Sequence, residues 1–267
     1  MPKQKEEIRK LFETILQEDL FANQSVKALQ QCLADADKYE GTIGGAVGCL
    51  FLLHLAASKQ LAVLLAEAGW FSALDITYKM ERELYRLAMA GESSRLDGYL
   101  ILMYTKKFKS IKKKIVSAFP QRKELIEHAF WAHTKKRYAL SIPVFLAQAD
   151  GISMEMTNGE YFLKENGRPR TAKFVDSKIL NPIYSQFFEP LRTNLPISAN
   201  KDQRKMHPVA FNRHAILHGE DINYGTKIHS FKAISLLSYL SLLSEMLWLA
   251  KEPMDIVNKL LAIGKGN

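Results

Sequence analysis

Cysteine, long apolar runs and repeated sequence are all scarce in this chain, and each shortage removes a class of protein. Cys32 and Cys49 are the only thiols among 267 residues. Two cysteines cannot build a disulfide framework or a thiolate metal site, so a reducing, cytoplasmic setting is expected. Met1–Lys10 is charged throughout, which is not the pattern of a secretory leader. Gly41–Ala57 runs for 17 residues without a formal charge, short of the roughly 20 apolar residues that a membrane-spanning helix needs. It also holds four glycines and His54, with Lys59 close behind. A buried core helix fits these residues better, with Gly44 and Gly48 allowing close helix packing. No membrane partner is therefore expected, and a helical membrane-associated protein is kept as a third reading. The chain contains no internal repeat and no low-complexity segment.

What is present is ordinary for a globular protein. Apolar residues make up 47% and charged residues 24%, in a chain long enough for one large domain or two small ones. The periodicity is helical almost throughout. Lys3–Phe21 carries Ile8, Leu11, Phe12, Ile15 and Leu16 on one face. Further helices are expected over Ser25–Tyr39, over Thr42–Glu67 with Gly69 as its stop, and over Ser72–Ala90 ending at Gly91. Ser93–Asp97 reads as a cap opening a helix that runs to Phe119. From Pro120 the pattern restarts, and a long helix is expected to continue through a kink at Pro143 to Asp150-Gly151. Residues 158–174 break the style. There Asn158-Gly159 and Asn166-Gly167 flank Tyr161-Phe162-Leu163, which indicates a small β-hairpin or an ordered loop. Helical patterning returns over Asp176–Leu191, about His207–His218 and Thr226–Lys251. The expected fold is all-α, a mostly helical bundle with a small β-hairpin or loop insertion. Residues 1–119 form a helical N-terminal region, separate or packed into the same domain. Residues 120–251 form a helical domain carrying the insertion, and 252–267 a tail helix.

The net charge of +9 is concentrated. Ile101–Leu140 holds eleven Lys or Arg against Glu124 and Glu127, a balance equal to that of the whole chain. Lys106, Lys107, Lys109, Lys112, Lys113 and Lys114 form its densest part. Such a patch suits a polyanionic partner, RNA first; a solvated helix face is the plainer alternative.

The stretch richest in chemistry is Asn212-Arg213-His214-Ala215-Ile216-Leu217-His218-Gly219. Arginine offers a permanent planar cation suited to phosphate, and histidine moves protons near neutral pH. Gly219 reads as a C-cap, which puts His218 at the end of its helix. Five residues of ideal helix rotate Arg213 away from His218 by about 140°, so sharing a face requires the end to unwind. His214 and His218, four apart, share one face. Three readings follow. The histidines and arginine cleave RNA without metal; or His214 and His218 join Glu220, Asp221 or His207 around a metal; or the histidines cap and pack.

The spacing Arg213-His214, three residues, His218 resembles the signature of the HEPN superfamily: arginine, a polar residue, any three residues, histidine. Tyr138–Gly151 is similar to the family's preceding helix, with Asp150 as its acidic residue. Tyr224-Gly225-Thr226 and the Leu-rich helix behind it also look like the family, and the resemblance spans about Pro120–Ala250. The resemblance implies a metal-independent endoribonuclease needing no cofactor. The RNA 2′-hydroxyl attacks its own phosphodiester, leaving a 2′,3′-cyclic phosphate and a 5′-hydroxyl. It implies catalytic roles for His218 as acid or base, Arg213 on the phosphorane, His214 as support and Asp150 as a bidentate anchor for Arg213. It further implies a homodimer with a composite site and a role in antiphage defence or a toxin–antitoxin system, with a cognate antitoxin or defence partner. The alternative is a HEPN-like RNA- or nucleotide-binding module without catalysis.

Overall fold

A computed structural model gives the fold and describes residues 58–71, 76–177, 186–206 and 210–251. The helices expected over Lys3–Phe21, Ser25–Tyr39 and 252–267 lie outside the described residues, as do Gly41–Ala57, His207 and Pro208. Among the described residues the protein is all-α with one two-stranded antiparallel hairpin. No described helix is long and apolar enough to cross a membrane.

Helix α1 occupies residues 58–67, and Gly69 stops it with φ +82°. Helix α2, Tyr78–Met89, starts later than the periodicity suggests, because the Thr77 hydroxyl caps the Met80 amide. Helix α3, Ser93–Ala118, opens at the expected place but without the expected side-chain cap; Glu92 holds the N-cap position. The periodicity predicts one long helix from Pro120, and two are found: α4, Lys123–Thr134, and α5, Tyr138–Thr157. The break is a Schellman turn in which the Lys136 amide donates to the His133 carbonyl and Arg137 to Ala132. Lys136 takes the left-handed conformation there, φ +58°. Helix α5 also runs past Gly151. That glycine makes room for Arg122, whose Nη2 would sit 2.7 Å from an added Cβ. Asn158, at φ +56°, ends the helix instead.

The insertion is a hairpin, β1 Lys164–Glu165 against β2 Arg168–Pro169, with Lys164 opposite Pro169. Asn166 and Gly167 both have positive φ, as a two-residue I′ turn requires. Helices α6, Thr171–Ser177, and α7, Glu189–Arg192, are short. Helix α8 is Arg213–Leu217 and α9 is Lys227–Lys251.

Helix α5 packs on α4 and α9, and α9 packs on α3. Their apolar faces close one buried cluster running from Leu61 to Leu243. The described part of the N-terminal region thus shares its core with the later helices. Phe130 and Phe145 meet edge to face across α4 and α5 at 5.1 Å. Two polar contacts tie the end of α1 into this core: Tyr104 donates to the Phe71 carbonyl at 2.8 Å, and the Phe71 amide donates to Ser235 at 3.1 Å.

Candidate functional site

The motif lies on a helix much shorter than the expected His207–His218. Residues 210–212 are not helical, and α8 begins at Arg213. Asn212 is the reason. Its Oδ1 accepts from the Ala215 amide at 2.9 Å, while its Nδ2 donates to the carbonyls of Pro196 (2.7 Å) and Ala199 (2.9 Å). The side chain is buried, so these bonds fix both the start of the helix and its seat on the preceding turn.

The other end does not unwind. Gly219 at φ +73° donates to Ile216, and Glu220 donates to Ala215, completing a Schellman turn with His218 at the C-cap. Arg213 and His218 are therefore linked through His214 and not by a common helix face. The Arg213 Nη1 lies 3.3 Å from the His214 Nδ1. The His214 and His218 rings are parallel within 5°, with centroids 5.9 Å apart. The three side chains form a row that begins half-buried at Arg213 and ends exposed at His218.

Asp150, on α5, approaches the row but does not grip it as expected. Its Oδ2 is 4.0 Å from the Arg213 Nη2, a single long ion pair instead of a bidentate fork. Its Oδ1 and the Arg213 Nε are buried without a hydrogen-bond partner among the described residues. The guanidinium is drawn elsewhere: Cζ sits 5.5 Å above the centroid of the Phe162 ring, a cation–π contact.

Phe162 belongs to the insertion, and no sequence signal marks it as part of the site. Its backbone carbonyl also bonds to His214, the one contact that favours the protonated ring. The opposing effects are larger. Burial first, then the charges of Arg213 and His218, hold the His214 pKa below its ordinary value, and Arg204 adds to this. Arg204 is likewise absent from the sequence reading. It reaches the motif from the polar connection before it and pairs with Glu220 at 2.7 Å, beyond His218. Neither residue carries a local signal, because each arrives from a segment that only the fold brings near.

The lysines expected to hold RNA all lie on α3. Lys106, Lys109, Lys113 and Lys114 are exposed, Lys107 is half-buried, and Lys112 faces Glu127 of α4 at 3.6 Å. As for a metal, no three His, Cys, Asp or Glu side chains converge among the described residues. No family model, no curated protein and no solved structure matches this chain.

Proposed function

We propose that this chain is a HEPN-type, metal-independent endoribonuclease. The observation that carries the reading is the row Arg213–His214–His218, which places a fixed cation behind a neutral-leaning imidazole and an exposed one. In this scheme an RNA phosphate lies against Arg213, which stabilises charge on the phosphorane. His218 moves the proton of the attacking 2′-hydroxyl or of the leaving 5′-oxygen. His214 orients the other two, and Asp150 limits the swing of Arg213.

Exposed apolar residues near the motif support a shared, two-fold site. Ile222 is 84% exposed in the loop after His218, and Met206 is 74% exposed in the turn before α8. Burying such residues against a second copy would bring two rows together. The antiphage or toxin–antitoxin setting rests on the resemblance alone.

The test is incubation of pure protein with mixed RNA in EDTA, beside Arg213→Ala and His218→Ala. Cleavage by the unaltered protein should persist and yield 2′,3′-cyclic phosphate ends. Each variant should lose about 10²–10⁴-fold in rate with an unchanged circular dichroism spectrum. Loss of cleavage on chelation would move the assignment to a metal enzyme. A second reading, an RNA-binding module without catalysis, is favoured by the contacts of Arg213 with Asp150 and Phe162, which hold the guanidinium within the fold. It predicts binding with no cleavage.

A further inference from the structure

The basic patch is not a uniform charged face. Lys106 and Lys109 of α3, Lys136 of the α4–α5 turn and Lys227 at the start of α9 converge on a groove of about 840 Å³. All four are exposed, and none is in an ion pair with a described carboxylate. The lining contains no acidic side chain among the described residues.

Its floor is aromatic. Phe108 stacks on His133 with centroids 5.1 Å apart and planes 26° from parallel. Phe231 meets His133 edge-on at 4.6 Å, and Tyr138 closes the side at 5.4 Å from the same ring. The Lys227 ammonium stands 5.9 Å from the Phe231 centroid. His133 bonds to the Ser230 hydroxyl at 2.7 Å, and burial holds its pKa down to about 4. The floor is thus uncharged at neutral pH, and all the charge lies on the rim.

Phosphates alone would need only the lysines, and an apolar partner only the rings. Both together, with Phe108 and Tyr138 half-buried and reachable, are what a single-stranded nucleic acid uses: stacking for the base and cations for the backbone. We propose that this groove seats a nucleotide of single-stranded RNA, its base against Phe108 and Tyr138 and its phosphates on the four lysines. The groove opens at the first turn of α5, and Asp150 lies twelve residues further along that helix, about 18 Å by its rise. A strand that also reaches the motif has to span this rise and turn about 120° around α5. The identity of the polyanion rests on the nuclease reading, whereas the groove's role does not depend on whether Arg213 and His218 cut.

The test is fluorescence anisotropy with a labelled 2′-O-methyl single strand, which lacks the attacking hydroxyl, against an abasic strand of equal length. Stacking should make the abasic strand weaker by about five- to hundredfold. Lys106→Gln with Lys109→Gln should weaken both strands and flatten the salt slope by about 0.7 for each phosphate no longer neutralised. Phe108→Leu should erase the difference between the strands. Should Phe108→Leu fail to fold, the half-buried Tyr138→Leu should reduce that difference instead. Equal binding of the two strands, or an unchanged slope in the lysine variant, would overturn the proposal. So would displacement of the strand by poly-glutamate as readily as by RNA. RNA cleavage without discrimination between the strands would remove the groove and leave the nuclease. Discrimination without cleavage would remove the nuclease and leave the groove.

Discussion

Asn212 sets where α8 begins, and with it the positions of Arg213, His214 and His218. Replacing it by alanine removes the cap, takes the side-chain partner from the Ala199 carbonyl in a buried site, and leaves the Pro196 carbonyl with the Ala199 amide alone. A loss of about 2–4 kcal/mol is expected from these effects, measurable as a lowered urea midpoint. An unchanged midpoint would mean that packing, not the cap, holds the helix. His214 has a subtler part. Its depressed pKa leaves a lone pair on the ring to accept from Arg213. His214→Asn retains a carbonyl acceptor and should keep much of the cleavage rate, whereas His214→Leu should lose it. Equal loss in both variants would make the imidazole itself essential. The motif residues are legible in the sequence because they are contiguous. Phe162 and Arg204 are not, because nothing in their own neighbourhoods marks them; they acquire meaning only when the insertion and the polar connection fold onto α8.

The long helices α3 and α9 can be read from the sequence within a residue or so, α3 from the cap-like Ser93–Asp97 and α9 from its run of leucines. So can the hairpin, since Asn166-Gly167 supplies two positive-φ residues in succession. The α4–α5 break is hidden because lysine occupies the left-handed position where glycine would have announced a stop. Gly151 misleads in the opposite sense: it looks like a stop and instead admits the Arg122 guanidinium beside Gln148 and Glu155. The strain at Lys136 is testable. Lys136→Gly should stabilise the fold by about 1 kcal/mol, raising Tm by roughly 2–4 °C in a chain of this size. The same change removes a groove cation, so oligonucleotide affinity should fall while stability rises. A lower Tm would show that the lysine side chain contributes packing that outweighs its backbone cost.

At the scale of the molecule, assembly and acid response are separable. If Ile222 joins two copies, Ile222→Asp should shift light scattering from dimer to monomer and reduce cleavage with it. A monomer that cuts RNA at the full rate would exclude the shared site. Acid response follows from one buried and two half-buried histidines among the described residues. Burial, the largest cause for each, lowers the pKa of His133 to about 4 and depresses His214 and His229 from 6.5. The unfolded chain therefore takes up these protons first. Stability is full above about pH 6.5 and is lost as pH falls through that value toward each folded-state pKa. His133, the most deeply buried of the three, can tilt stability by up to about 1.4 kcal/mol per pH unit in its window, and the half-buried His214 contributes less because solvent screens it. The paired carboxylates Glu83, Glu92, Glu160, Glu165 and Glu220 have pKa values held below 4.5, so their losses begin only below that pH. Between pH 6.5 and 4.5 the histidines should dominate, and the urea midpoint at pH 5 should lie well below that at pH 7.5. Exchange of His133 for Gln, which can still bond to Ser230, should flatten that interval. A midpoint constant over the interval would mean that these rings are protonated in the folded protein.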